Sequence, residues 1–455
     1  MIARELATWA LGVTDVPAEV RRAALRHLLD GFGTALGGLS SGGADPALEV
    51  ARGLGGPQEA TILGSTTKVS APAAALANGT LVHTLDFDDT HAGGLIHATA
   101  VVLPAAFAVG EQVEASGEDV LLAAVVGYEA SCRIAAAAPH GFHARGLHAT
   151  MVAGVFSSAL IAARLTGLTV EQTTHALGIA GSQAGGLLAF LGTGASTKQL
   201  HPGFASQSGI IAARLAAAGA TGPDTVFDGP HGVFDALAAG TADPQSIVEG
   251  LGERWETTRI GIKPYAACQL SHATLDAVRD ARRQLDFAVD DIESITAQVH
   301  PDSASVVCDT SRDLTRPASP YAAKFSLPWS AAALLVDGDM TLATFDPVSI
   351  ARPDVTALAA RVKVELAPTG GVAADAPGSV RIVLKDGREI DGSVTRSAGG
   401  PDNPLSDADL HAKFTGNAGA DSSALIDAIE SFPTHADLST LLSVVAQTAA
   451  DHSTR

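Results

Sequence analysis

The amino-terminal part of the chain repeats apolar residues with the period of an α-helix. Between Val20 and Leu36 they recur at three- and four-residue spacing, just after a proline at position 17. Apolar segments of similar length occupy residues 101–110, 119–138 and 151–165. Small side chains, mostly Ala, let such helices pack closely. The pattern therefore predicts a body built mainly of helices.

The pattern changes in the later part of the chain, where strand-like composition replaces helical spacing. The segments that predict strands are residues 295–300, 361–366, 380–384 and 389–394. Asp386-Gly387 separates the last two and predicts a hairpin. Residues 406–414 and 422–448 return to a helical pattern. We expect a mainly α protein with an α+β second domain, the helical domain being residues 1–265 and 400–455 and the smaller domain residues 266–399.

Composition excludes several classes of protein. With 455 residues, 46% of them hydrophobic and 17% charged, the chain can bury a large core. A net charge of -20 disfavours nucleic acid and anionic membrane surfaces as partners. The three cysteines have no CxxC spacing, which indicates a reducing, cytoplasmic location. No apolar run reaches the roughly 20 residues of a membrane span, and the first residues lack the pattern of a signal peptide.

Residues 78–97 concentrate acids and imidazoles in apolar sequence. The acids and imidazoles of this window are His83, Asp86, Asp88, Asp89, His91 and His97. We predict a helix over residues 78–89, which would place His83, Asp86 and Thr90 on one face. Three acids at the carboxyl end of a helix oppose its dipole, and such local misfits are typical of functional sites. The window is therefore the leading candidate for chemistry.

Two basic positions and a second histidine-bearing loop lie elsewhere. Residues 172–197 contain no Asp, Glu, Lys or Arg, and Lys198 follows them directly. A buried ammonium needs an anionic partner, which a substrate carboxylate could supply. Lys263 opens the segment Lys263-Pro264-Tyr265. The loop at residues 139–150 contains His148 and, like the window above, is a polar loop that leads into an apolar helix.

Taken together, these motifs resemble the MmgE/PrpD family, which includes 2-methylcitrate dehydratases, cis-aconitate decarboxylases and iminodisuccinate epimerases. The resemblance covers nearly the whole chain. It is carried by Leu28-Leu29-Asp30-Gly31-Phe32-Gly33, Asn78-Gly79, Leu85-Asp86-Phe87-Asp88-Asp89-Thr90-His91, His97, Gly146-Leu147-His148-Ala149-Thr150, Thr197-Lys198 and Lys263-Pro264-Tyr265. It implies a large all-helical domain built from both chain ends, a smaller α/β lid domain, a cleft between them, a homodimer, and no metal or organic cofactor.

The resemblance also implies a set of site residues. Carried over position by position, the family's site falls on Asp86, Thr90, His97, His148, Lys198 and Lys263. The two lysines would bind a small di- or tricarboxylate and stabilise the enolate-like charge of deprotonation. His97 and His148 would share the acid and base roles. Asp86 would orient a histidine or a lysine, and Thr90 would donate a hydrogen bond to substrate.

The subfamily is less determined, because several motif positions depart from the family's common pattern. Asp88 and His91 replace the Asn and the aromatic residue of the methylcitrate dehydratase branch. Ala98-Thr99 replaces a frequent Pro-Ser, and Ala266-Ala267-Cys268 a frequent Pro-Cys-Cys. We expect dehydration first, epimerisation of an iminodisuccinate-type dicarboxylate second and cis-aconitate-type decarboxylation third. All three reactions use the same groups for proton transfer and differ in the shape of the pocket that they need.

Other interpretations of the same residues remain open. A metal site would use one of two sets, Asp86, Asp88, His91 and His97, or His140, His143 and His148. Lys198 or Lys263 would serve in Schiff-base chemistry, and residues 192–198 resemble a phosphate loop but lack the Gly before Lys. A helical scaffold protein with a vestigial site is the non-enzymatic alternative.

Structural roles compete with these functional ones. Asp86, Asp88 and Asp89 would then be a solvated helix end, and Lys198 and Lys263 would each be one half of an internal ion pair. Four histidines are expected to be structural or to lie on the surface, namely His83, His91, His140 and His143.

Overall fold

The chain divides into two compact units in a computed structural model that describes residues 1–284, 286–367, 372–420 and 422–453. The first unit comprises Met1–Ala189, Thr197–Ile262 and Ser406–Arg455, and the second comprises Phe190–Ser196 and Lys263–Leu405. The expected fold class is confirmed, since helices dominate and the strands form a small mixed sheet. The domain limits expected from the sequence stay a prediction.

The first unit is helical apart from two short strand pairs. Its elements before the second unit are α1 (Ile2–Gly12), α2 (Ala18–Ser40), α3 (Asp45–Leu54), β1 (Ala60–Thr61), β2 (Lys68–Val69), α4 (Ala71–His83), β3 (Thr90–His91), α5 (Thr99–Gln112), α6 (Gly117–Ala136), α7 (Gly141–Ala144), α8 (Ala149–Leu165), α9 (Val170–Gly181), α10 (Thr197–Ala217), α11 (Val233–Leu237) and β4 (Ile260–Gly261). β1 pairs with β2 and β3 with β4, both antiparallel. The helices predicted at residues 20–36, 101–110, 119–138 and 151–165 are confirmed as α2, α5, α6 and α8.

The second unit contains a four-stranded sheet. Its elements are α12 (His272–Gln284), β5 (Ile292–Val299), α13 (Pro301–Val307), α14 (Pro320–Ala323), α15 (Leu327–Asp337), α16 (Pro347–Ile350), α17 (Pro353–Ala359), β6 (Val362–Leu366), β7 (Gly378–Leu384) and β8 (Glu389–Val394). The strand order is β6-β5-β7-β8, with β5 and β6 parallel and the other pairs antiparallel. The predicted strands and the hairpin at Asp386-Gly387 are confirmed.

The chain then returns to the first unit with α18 (Asp407–Ala418), α19 (Ser423–Ser431) and α20 (Ser439–Ser453). The helical pattern of residues 422–448 therefore belongs to two helices. A 3₁₀ turn at Phe432–Thr434 separates them, because Pro433 cannot donate a backbone hydrogen bond. Within the part of the chain that the structure describes, no helix is long and apolar enough to cross a bilayer.

Helices α4 and α10 cross at a very short distance, because glycine lies on both sides. A Cβ atom built at Gly79 would lie 2.7 Å from the backbone nitrogen of Gly203, and one built at Gly203 would lie 2.3 Å from the carbonyl oxygen of Leu76. Neither position has room for a side chain. Near the start of α10, the Gln199 side chain donates to the carbonyl oxygen of Thr84 at 3.0 Å. The crossing thus places the first turn of α10 beside the end of α4.

Candidate active site

The residues that follow α4 form a turn, so the helix predicted over residues 78–89 is wrong in its second half. Helix α4 ends at His83, and the backbone nitrogen of Asp86 donates to its carbonyl oxygen at 3.1 Å. Asp86 itself has φ 51°, in the left-handed region that aspartate tolerates better than most residues. The acids therefore spread in several directions from a turn and do not line one helix face.

Asp86 and Lys198 form a buried ion pair. The Lys198 ammonium lies 2.6 Å from Asp86 Oδ1, and the two side chains are 7% and 0% exposed. Lys198 is the second residue of α10, which the glycine crossing holds beside this turn. Lys198 thus has an anionic partner within the protein. The Asp86–Lys198 contact is compatible both with an internal ion pair and with a lysine that binds substrate.

His97 lies beside this ion pair with a defined tautomer. Its Nδ1 is 2.9 Å from the carbonyl oxygen of Asp89 and 3.3 Å from Thr90 Oγ1. A carbonyl oxygen only accepts, so Nδ1 carries the hydrogen and Nε2 carries the lone pair. Nε2 is 4.0 Å from Asp86 Oδ1. Nε2 of His97 therefore lies next to the Asp86–Lys198 pair.

His148 enters the same cluster from the amino end of α8. Its Nδ1 lies 3.1 Å from Nδ1 of His201, one turn after Lys198 in α10. Burial, followed by the nearby Lys198 charge, holds the pKa of His148 well below its usual 6.5. Burial also lowers the pKa of His201, to about 4. Both imidazoles are therefore neutral at pH 7. The sequence did not indicate this for His201.

His83 completes a group of three imidazoles, His83, His97 and His148, which we call the histidine cluster. The ring centroid of His83 is 4.7 Å from that of His97 and 5.6 Å from that of His148. His83 Nδ1 lies 2.8 Å from Asp88 Oδ2. Among the described residues, His83 Nε2 and Asp88 Oδ1 are buried without a hydrogen-bond partner. His83 is fully buried, so of the two expected alternatives, structural or surface, the surface position is excluded. Asp88 supports this imidazole.

Asp89 fixes the start of α5. Its Oδ1 accepts from the backbone nitrogen of Thr99 at 3.0 Å, its Oδ2 accepts from the Thr99 hydroxyl at 2.5 Å, and His27 Nδ1 lies 3.3 Å from Oδ2. A carboxylate at this end of a helix is favoured by the helix dipole. Asp86, Asp88 and Asp89 are each 0% exposed, so the solvated helix end is wrong for all three.

The remaining candidate histidines lie outside this cluster. His91 Nε2 contacts Glu256 at 3.0 Å. The His143 ring is 6.3 Å from the His148 ring, and burial lowers its pKa to about 3. The structure therefore does not assemble the two metal sets considered from the sequence. In the described residues it groups His83, His97 and His148, and also His83, Asp86, Asp88 and His97, with ligand atoms within 4.8 Å of one another.

Lys263 begins the longer segment of the second unit, and the residue is 1% exposed. The other five candidates, Asp86, Thr90, His97, His148 and Lys198, belong to the first unit. The hydrogen bonds and ion pairs described above connect Asp86, Thr90, His97 and Lys198. His148 lies beside them, with its ring centroid 5.9 Å from that of His97. The place of Lys263 in the site stays a prediction.

Comparison with known proteins finds matches over most of the chain. The MmgE/PrpD N-terminal domain model matches residues 4–245, and the MmgE/PrpD C-terminal domain model matches residues 265–427. A cis-aconitate decarboxylase of Aspergillus terreus is 30% identical over 424 residues, covering 88% of this chain and 85% of the relative. The mouse cis-aconitate decarboxylase is 32% identical over 364 residues, covering 76% of this chain and 71% of the relative.

A third relative extends over almost the full length of both proteins. The cis-aconitate decarboxylase-like protein oryM of Aspergillus oryzae is 29% identical over 475 residues, covering 98% of this chain and 97% of the relative. The two domain models together span most of the chain in the order that the sequence motifs indicate. The chain belongs to the MmgE/PrpD family.

Proposed function

We propose that this protein is a lyase that decarboxylates a small unsaturated polycarboxylate of the cis-aconitate type by proton transfer at carbon. The names of the relatives support this reaction, which the sequence alone ranked behind dehydration and epimerisation. Dehydration of a methylcitrate-type substrate remains the second candidate, although Asp88 stands where that branch of the family has Asn. Both reactions use the same acid and base groups.

The position of His97 Nε2 is the observation that carries the proposal. The Asp89 carbonyl fixes Nδ1 as the protonated nitrogen, so Nε2 is the nitrogen that exchanges a proton with substrate. The Lys198 ammonium contacts the same Asp86 oxygen, Oδ1, that lies nearest to His97 Nε2. A substrate carboxylate that contacts Lys198 would therefore hold its adjacent carbon near His97.

The proposed step balances without a change of oxidation state in the protein. The bond between the departing carboxylate and its carbon breaks, and its electron pair forms a new C=C bond. The original C=C pair shifts and takes a proton at its far carbon. One proton is consumed for each CO₂ released, and an imidazolium of His97 or His148 supplies it.

Binding of a polyanion prepares these imidazoles to be donors. Burial keeps His148 neutral in the free protein. Carboxylates brought next to an imidazole favour its charged form and so raise its pKa. Lys198, together with Lys263 as the proposed second cation, would bind the carboxylates that remain on the product.

The experiment is NMR in D₂O with cis-aconitate, 2-methylcitrate, citrate and iminodisuccinate as separate substrates. We expect cis-aconitate to lose one CO₂ and to gain one deuterium at carbon per turnover. The His97→Gln variant should lose this activity, whereas His140→Asn, a change at an exposed histidine in left-handed backbone, should keep it. Alkene formation from methylcitrate without release of CO₂ would show that the protein is a dehydratase instead. Loss of stereochemistry at the α-carbon of iminodisuccinate would show that it is an epimerase. If none of the four reacts, the substrate class is wrong.

A further inference from the structure

We propose that the histidine cluster is a binding site for one divalent transition-metal ion of the Zn²⁺ class, and that occupancy inhibits the enzyme. Ring nitrogens of His83, His97 and His148 lie within 4.8 Å of one another. All three side chains are buried. Three imidazoles with an open fourth position form one of the ligand sets that bind zinc in proteins.

Each ring is already oriented from its other side. Nδ1 of His83 contacts Asp88, Nδ1 of His97 donates to the Asp89 carbonyl oxygen, and Nδ1 of His148 contacts His201. Nε2 of His83 and Nε2 of His97 are then the atoms that can hold a metal, and Nε2 of His148 has the same role when its Nδ1 donates to His201. A second hydrogen bond to a carboxylate or a carbonyl is the usual support of a metal-binding histidine.

His83 provides a second observation, independent of the spacing of the rings, that points to a ligand. Its Nε2 is fully buried and has no hydrogen-bond partner among the described residues. A buried polar nitrogen without a partner costs free energy, and metal ligation would satisfy it. At Zn–N distances of about 2.0–2.1 Å, tetrahedral ligand nitrogens are about 3.3 Å apart, so the cluster needs only small side-chain shifts.

The surrounding formal charge favours a cation. Two carboxylates, Asp86 and Asp88, lie beside rings of the cluster, and the Lys198 ammonium is paired with Asp86. A metal ion binds the lone pair of a neutral imidazole. The cluster thus combines three imidazole ligands with two nearby carboxylates.

Metal binding would block proton transfer, because the lone pairs of His97 and His148 would bind the ion. This inhibitory consequence rests on the proposed function, whereas metal binding itself does not. Binding is therefore measured first, without substrate, so that the two proposals can fail separately.

The test uses the full chain freed of metal by a chelator and then titrated with Zn²⁺ in equilibrium dialysis. We expect one Zn²⁺ per chain, and Co²⁺ in its place should give visible absorption bands of low coordination number. His83→Gln should weaken Zn²⁺ binding at least about 100-fold, and Asp88→Asn, which removes the carboxylate beside His83 and His97, about 10–100-fold. His140→Asn is the matched control and should bind as the wild type does.

Three outcomes would overturn the site: no stoichiometric binding to the wild type, equal affinity in His83→Gln and wild type, or equal loss in His140→Asn. Circular dichroism and thermal unfolding check that each variant folds. If His83→Gln does not fold, His148→Gln takes its place with the same expected loss. In a second step, Zn²⁺ should abolish turnover and the chelator restore it; stoichiometric binding without inhibition would refute the inhibitory role alone.

Discussion

Two polar networks leave the short strand β3 in opposite directions. Thr90 faces the histidine cluster through its contact with His97. His91, the next residue, contacts Glu256, and the Glu256 backbone nitrogen donates to Glu129. The second set, which we call the His91 network, comprises His91, Glu129, Arg133 and Glu256. Both networks are buried and both join acids to imidazoles.

The two networks differ in how completely their hydrogen bonds are satisfied. Glu129 accepts from Arg133 Nε at 3.1 Å, from the backbone nitrogen of Thr257 at 2.8 Å and from its hydroxyl at 2.8 Å. Within the described residues, no side-chain nitrogen or oxygen of the His91 network is buried without a partner, whereas His83 and Asp88 each have one such atom. Complete satisfaction indicates a structural role, and buried unsatisfied atoms indicate a site that awaits a ligand.

The largest effect that would test this contrast is on catalysis. His97→Gln should lower kcat by about 10²–10⁴-fold, because an acid/base group is lost, and should change the unfolding midpoint little. Initial rates with cis-aconitate and urea unfolding measure the two effects. His91→Gln is the matched change in the other network and should affect stability instead. Equal loss of kcat in both variants would contradict the division of roles.

The largest expected effect on stability lies in the His91 network. Arg133→Met should lower the free energy of unfolding by about 3–5 kcal/mol, since Glu129 would stay buried without its cationic partner. Arg133 and Glu129 are 1% and 0% exposed in their side chains, so water cannot replace the pair. Urea unfolding measures the change. A variant of unchanged stability would show that the network is not structural.

Acid should weaken the same network through Glu256. Burial alone would raise the pKa of Glu256, but the hydrogen bond and charge of His91, with Arg259 and Arg133, lower it from 4.5 to about 2. Because the folded pKa lies below the unfolded one, Glu256 stabilises the fold above about pH 4.5 and loses this contribution as pH falls towards 2.

By pH 3 the loss should reach about 2 kcal/mol of unfolding free energy. Urea midpoints from pH 6 to pH 3 measure it. Glu256→Gln should be less stable at pH 6 and should show a shallower decline. Parallel declines in the two proteins would refute the assignment.

The smallest expected effect concerns Thr90. Thr90→Val should lower activity by about 2–10-fold, the value of one hydrogen bond near His97, with little change in stability. Thr90→Ser, which keeps the hydroxyl, should retain most of the activity. A loss as large as that of His97→Gln would mean that the hydroxyl contacts the reacting atoms.

Apolar periodicity predicted the large elements well. Helix α2 and the β7–β8 hairpin follow from patterns within a single segment. The turn after His83 could not be predicted in the same way, because the spacing of His83, Asp86 and Thr90 suits a helix. The left-handed backbone of Asp86 depends on tertiary contacts that the pattern does not contain.

The candidate site was predicted in part. Family motifs indicated Asp86, His97 and Lys198, and the structure brings them together. Residues that the family motifs do not include carried no comparable indication in the sequence. His201 contacts His148 only because α10 lies beside α8, and a single sequence gives no direct sign of that proximity. His83 was visible in the motif, but its burial was not.

The adjacency of Thr90 and His91 also bears on how this gene could vary. Successive residues of a strand point to opposite sides, so each neighbour serves a different network. A substitution at either position would damage one network and spare the other. Deletion or insertion of one residue here would turn each side chain towards the other network and damage both networks. We therefore expect a mutational scan to tolerate some replacements at these positions, but no change in length between Asp89 and Ala92.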